Sequence, residues 1–159
     1  MSAQPALEVP SHVLEYISSK STLTLATASP QGVPHASTYL YVNDGPHLFF
    51  WAKPSTTTAK HIEANSTVAF AIDEYASDLR QTKGVQGTGQ AAAIGGEEIA
   101  RVASLFGDKF PELSPGATLS ITFFRIEPSE LEFIDNTKDG GEPAEGEFGA
   151  EFHREHVGG

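Results

Sequence analysis

The chain has 159 residues, a formal charge of −11 and no cysteine, which suits one domain burying roughly two-thirds of its unfolded surface. The missing thiols exclude disulfides, thiolate catalysis and cysteine-bound metal, and they fit a reducing compartment. A strongly acidic protein is repelled by phosphate backbones, so no nucleic-acid partner is expected.

The charge is unevenly spread. Residues 127–159 hold ten acidic side chains against Lys138 and Arg154, which leaves the body before them nearly balanced. An anionic ligand would therefore need a local electropositive pocket in that body. No apolar run approaches the roughly 20 residues of a membrane helix, so no membrane partner is expected. The first ten residues lack the basic start and apolar middle of a signal peptide, which makes a cytoplasmic location the expectation.

Val13, Leu14 and Ile17 after Pro10 and Ser11 predict a short amphipathic helix ending near Lys20, with Ser11 as its cap. The period then changes to two, since Leu23 and Leu25 alternate with threonines in a strand with one buried face. Ser29, Pro30 and Gly32 mark a turn. The next strand is predicted over 34–42, closed by Asn43, Asp44 and Gly45. Residues 48–52, Leu-Phe-Phe-Trp-Ala, do not alternate, so both faces of this third strand are expected to be buried. A helix of the same chain, a flat aromatic ligand or a second subunit would each cover the face turned away from a barrel interior.

A short threonine-capped helix is predicted over 56–65 with Ile62 inward, then a strand over 68–72 and a polar loop through Arg80. Residues 83–94 are small and carry Gly84, Gly87 and Gly89, as in a strand that bends or approaches another backbone closely. Residues 97–110 predict a helix with acidic residues in its first turn and Ile99, Val102, Ala103 and Phe106 on one stripe. Strands are expected over 118–126 and 131–134, and an irregular tail rich in Gly and Glu follows. Six or seven short turn-linked strands favour a mainly β architecture, an antiparallel sheet closed into a barrel with short helices.

The strongest candidate site is residues 53–61, where Ser55, Thr56, Thr57 and Thr58 lie between Lys53 and Lys60 at a strand-to-helix junction. Helix N-terminal amides, hydroxyls and an ammonium group together suit a phosphate. The same residues also suit an ordinary capped helix with surface lysines. Gln86, in a Gly-Val-Gln-Gly-Thr-Gly run, has amide groups suited to a ring edge and equally to solvent, and the glycine spacing fits neither a dinucleotide fingerprint nor a Walker loop. His12, His35, His47 and His61 are dispersed, and His153 and His156 sit in the tail with metal-ligand spacing only if it is helical. Solvated histidines and no metal site are expected. No hydrolase triad or paired-carboxylate site stands out.

Several segments taken together resemble the FMN-binding split β-barrel superfamily, the pyridoxamine 5′-phosphate oxidase-like proteins. They are Leu23-Thr24-Leu25-Ala26-Thr27 with the run from Pro30 to Ser37, then Leu48-Phe49-Phe50, then Thr57 to Asn65 with Val68-Ala69, and Gly84-Val85-Gln86 with Gly89. Phe110-Pro111, Phe133-Ile134-Asp135-Asn136 and Phe148-Gly149 are similar to the ending of an uncharacterised bacterial branch. The resemblance implies a split-barrel domain over 1–136, a tail over 137–159, and a homodimer with FMN in a groove between subunits, across the third strand. It implies that His35, Ala36 and Ser37 line the ring region and that Trp51 and Ala52 approach the cofactor. Thr57, Thr58 and Lys60 would hold the phosphate, and Gln86 would touch the ring edge or the partner subunit. Many members carry an Arg-Lys pair where this chain has Thr57-Thr58, which leaves deazaflavin and heme as alternative cofactors. The implied activity is flavin-dependent oxidoreduction of a small molecule, but not genuine pyridoxamine phosphate oxidation, because no Arg- and His-rich C-terminal segment is present. Heme binding or degradation, and non-catalytic flavin binding or redox sensing, are the alternatives.

Overall fold

Alternating leucines and threonines put Leu23, Leu25 and Thr27 of strand β1 (Thr22–Ala28) on a buried face and leave Thr22 and Thr24 exposed. Around β1 a computed structural model describes residues 7–74, 77–113, 120–137 and 154–158. The strands form one antiparallel sheet in the order β2-β1-β5-β6-β7-β4-β3, with β8 added beside β7. Their spans are β2 Pro34–Leu40, β3 Val42–Asp44, β4 His47–Ala52, β5 Thr67–Glu74, β6 Lys83–Ala93, β7 Thr122–Asp135 and β8 Arg154–Val157. The sheet curls until Tyr39 of β2 packs on Phe50 of β4, with ring centroids 4.8 Å apart. Curling lets one face enclose a core that includes Leu25, Phe50, Ile72, Val85 and Phe124. This is a mainly β, split-barrel architecture.

Helices cover both ends. At one end α1 (Ser11–Ser19) buries Val13, Tyr16 and Ile17, and the Tyr16 hydroxyl donates to the Lys83 carbonyl at 3.1 Å. Its cap differs from the expectation. Pro10 occupies the cap position and Ser11 is the first helical residue, because the Pro10 carbonyl already accepts from Val13 and Leu14. At the other end α2 (Thr57–Ala64) buries Ile62, the residue expected inward, together with Thr58 and Ala59.

Three further expectations are corrected. The strand predicted over 34–42 breaks at Tyr41, whose amide bonds to the Ser21 carbonyl and whose buried ring turns the chain into β3. The two strands expected over 118–126 and 131–134 are a single β7, although residues 118 and 119 lie outside the described residues. Pro128 lies within β7 opposite Gly89, where the register shifts between Thr88 and Gly89. A Cβ on Gly89 would sit 2.3 Å from the Glu127 carbonyl oxygen, so the close backbone approach read from the glycines is real. The tail is not irregular throughout, because Arg154–Val157 returns to pair with β7. The rest of the polar stretch, 138–153, lies outside the described residues.

The second face of β4 is covered by the chain itself. Helix α3 (Glu97–Lys109) lays Val102 and Phe106 over Phe49 and Phe123 in a second, smaller core. Each of these large side chains contributes roughly 1.5–3 kcal/mol by leaving water. Ile99, expected on the same stripe, is instead 41% exposed. It lies in the first turn of α3, before the helix reaches the Val102 and Phe106 contacts.

Candidate functional site at the start of the second helix

The threonine run divides its labour. Thr56 caps α2, and its hydroxyl accepts from the Ala59 amide at 3.2 Å while donating to the Lys53 carbonyl at 2.8 Å. Thr57 is exposed at the first helical position, and Lys53 and Lys60 are exposed on either side of the cap in sequence. Thr58 is buried, and its hydroxyl accepts from the Tyr39 hydroxyl at 2.7 Å. Of the two threonines assigned to a phosphate, only Thr57 presents a free-facing side chain.

Beside this junction lies a polar cluster. His61 of α2 shares a hydrogen bond with Thr27 at 2.9 Å, and His35 shares one with Ser37 at the same distance. The two imidazoles stand perpendicular with centroids 6.1 Å apart. Alternation along β2 puts His35, Ser37 and Tyr39 on the face turned toward α2, and Ala36 and Thr38 on the opposite face. The structure therefore brings His35, Ser37 and Thr58 together and adds Thr27, Tyr39 and His61, which sequence reasoning did not assign to the site. The alternation of His35, Ser37 and Tyr39 was a visible signal; that α2 would lie over β1 and β2 was not.

The remaining assigned residues are spread over other faces. Ala52 is buried in the barrel core, whereas Trp51 is half-buried at the edge of the α3 core. Gln86 is half-buried on the outer face of β6, in register with Ala71 and Glu132, and borders a shallow groove of about 330 Å³. Ala36 lies on this same outer face, with β1 and β5 between its strand and β6. A larger groove of about 530 Å³ opens at the α2 end of the barrel between Ala59, Ile62 and Glu63 and the strand ends at Ala91, Ala93 and Phe124.

Charge is partitioned as clearly as burial. Arg101 meets Asp44 at 2.5 Å and Glu98 at 3.4 Å, Arg125 meets Glu98 at 2.8 Å, and Arg80 meets Asp78 at 3.1 Å. Among the described residues, Lys53 and Lys60 enter no ion pair. The start of α2 thus keeps uncompensated positive charge in a strongly acidic protein. No group of three or more histidine or acidic side chains suited to a metal occurs among the described residues.

Residues 9–135 match the pyridoxamine 5′-phosphate oxidase family over most of the chain. The chain belongs to that family. No curated protein matches it at the same standard. Solved structures with the pyridoxamine 5′-phosphate oxidase-like fold resemble it closely in shape. A conserved hypothetical protein of Mycobacterium tuberculosis has a TM-score of 0.74 at 20% identity, covering 94% of this chain and 98% of its own. The heme storage protein HutZ of Vibrio cholerae has a TM-score of 0.67 at 23% identity, covering 77% and 91%. A heme binding protein of Mycobacterium smegmatis has a TM-score of 0.63 at 17% identity, covering 83% and 57%. At these identities the likeness fixes the split-barrel fold that pyridoxamine 5′-phosphate oxidase-like proteins share. Among the described residues no helix is long and apolar enough to cross a membrane.

Proposed function

We propose that this protein is a cytoplasmic, homodimeric, FMN-dependent oxidoreductase acting on a small organic molecule. The observation that carries this reading is the uncompensated pair Lys53 and Lys60 with exposed Thr57 at the start of α2. Two ammonium groups, a hydroxyl and the partial positive charge of a helix N-terminus make a donor set that fits a phosphate monoester. FMN, when bound, would supply two-electron chemistry of its own.

The chain's residues would bind and orient. Lys53, Thr57 and Lys60 hold the phosphate, and Thr58, tied to Tyr39, keeps the first turn of α2 rigid beneath it. His35 and Ser37 line the ring region, and their mutual hydrogen bond fixes which imidazole nitrogen stays available. Ala36 and Gln86 occupy the opposite sheet face, where they would meet the cofactor or the partner only at a subunit boundary, which supports a homodimer. Trp51, left half-buried beside the α3 core, would approach the cofactor.

Adding FMN to the purified protein tests the reading. A true ligand at 100 times its Kd stabilises the fold by about 2.7 kcal/mol, so a clear rise in Tm is expected, lost in Lys53→Glu/Lys60→Glu. No rise in Tm, together with no quenching of flavin fluorescence, sinks the proposal.

A second reading is heme binding. It is motivated by the perpendicular His35–His61 pair and by the likeness to HutZ, a heme storage protein. His35 keeps Nδ1 and His61 keeps Nε2 outside their bonds to Ser37 and Thr27. A Soret band with added hemin, lost in His35→Ala or His61→Ala, would favour heme over FMN. Absence of the band would end this reading.

A further inference from the structure

The described lysines fall at the two ends of the barrel and nowhere else. Lys53 and Lys60 mark the α2 end, and Lys20, Lys83 and Lys109 gather at the α1 end, where Lys109 Nζ donates to the Lys20 carbonyl at 2.5 Å. Lys83 is the first residue of β6 and enters no ion pair among the described residues. A groove of about 570 Å³ opens at this α1 end. Lys20 and Lys83 line it together with two carboxylates, Glu15 and Asp135, and two aromatic side chains, Tyr16 and Phe133. His12 stands at its rim, bonded to Glu155 at 2.7 Å and edge-on to Phe133.

We propose that this groove is a second ligand site, separate from the start of α2, that takes a small aromatic amino acid. Two ammonium groups suit the ligand carboxylate, and their stems can lie along apolar surface while the charged heads reach it. Glu15 and Asp135 repel a simple anion but attract the ligand ammonium, so the mixed lining selects a zwitterion over either half of it. Tyr16 and Phe133, packed against each other with ring centroids 5.5 Å apart and largely buried, form the aromatic floor that the ligand's side-chain ring would rest on. Lys83 and Asp135 are cross-strand register partners, so opposite charges are presented side by side, as an α-amino acid presents its own two groups.

Titrating the ¹⁵N-labelled full chain with L-phenylalanine, L-tyrosine and L-tryptophan tests the site. Saturable shifts are expected at the Tyr16, Lys83 and Phe133 amides, with those of Thr57 and Lys60 unmoved. The half-ligands 3-phenylpropanoate and phenethylamine should each bind at least about tenfold more weakly, because each forfeits one set of charge-assisted contacts. Lys83→Gln and Glu15→Gln should each weaken binding about tenfold while keeping a dispersed, native spectrum. The proposal is overturned if none of the three amino acids gives a saturable shift at those amides. It is equally overturned if 3-phenylpropanoate binds as well as L-phenylalanine, or if both variants bind like the parent. None of these outcomes depends on whether FMN binds at the other end.

Discussion

Tyr39 and Thr58, nineteen residues apart, are joined by a 2.7 Å hydrogen bond that fastens the first turn of α2 to β2. Thr58 is 1% exposed, so removing the phenol leaves a hydroxyl that water reaches poorly. Tyr39→Phe should therefore cost about 1–3 kcal/mol, the range for leaving a buried polar atom unpaired. Urea unfolding should show a lower midpoint at an unchanged slope. A loss below about 0.5 kcal/mol would mean that the bond does not hold α2 in place.

Gly89 and Gly95 make opposite predictions from the same substitution. A Cβ at Gly89 meets the Glu127 carbonyl oxygen at 2.3 Å and Pro128 at 2.8 Å, both backbone atoms that cannot swing aside. Gly89→Ala should cost about 3 kcal/mol or lower soluble yield sharply, as overpacking does. Gly95→Ala meets nothing within 4 Å and should lie within about 0.5 kcal/mol of the parent by thermal melt.

Covering β4 with α3 makes Phe106 a core residue and Ile99 a surface one. Phe106→Ala should destabilise by about 3–5 kcal/mol. Ile99→Ala should cost well under half of that, because the side chain is 41% exposed. Chemical denaturation of the two variants side by side measures the difference, and equal losses would contradict the packing.

Lys109 gives the stability curve an alkaline feature. Burial holds its ammonium group down to about 8, against an ordinary value of 10.5, with the Tyr41 ring 4.3 Å from Nζ. The unfolded chain then binds this proton more tightly than the folded one, so stability rises as pH increases above 8. Buried Tyr41 acts in the opposite sense. Its phenol is pushed above the ordinary value of 10.0, so the unfolded chain ionises first and stability falls above pH 10. Melting temperatures should accordingly rise between pH 8 and 10 and decline beyond, and Lys109→Met should remove the rise.

His156 acts in the neutral range. Its bond to Glu132 at 2.7 Å raises its pKa above 6.5, so the folded state holds the proton more tightly. The contribution is full in mild acid below 6.5 and is lost as pH rises through the folded value. Hydrogen exchange at the β8 amides should speed up from pH 6 to pH 8 by more than the intrinsic base-catalysed rate, and His156→Gln should abolish the excess.

Local patterning carried much of this reading. The period-two run at Leu23 to Thr27, the inward Ile62 and the Thr56 cap fold as their sequence dictates, because they depend on side chains within a turn or a strand of one another. The family was legible for a similar reason, since its motifs follow one another along the chain. What failed was decided at a distance. The sequence suggests one strand ending at 126 and another starting at 131, yet β7 runs on through Pro128 because Gly89 on the facing strand yields a bulge there. The tail reads as irregular from its glycines and glutamates, yet residues 154–157 find a free edge on β7.

The candidate site divides along the same line. Reading along the chain put Lys53, Lys60 and four hydroxyls around a helix start, a pattern that suits an anion and equally an ordinary capped helix. Only the curled sheet decided that Thr58 would be consumed by Tyr39, that His61 would meet Thr27 and His35, and that α3 would cover Phe49. Hydrogen bonds and apolar contacts between residues far apart in sequence form only once loop closure brings them together, so the linear pattern names the chemical groups and the fold selects their partners.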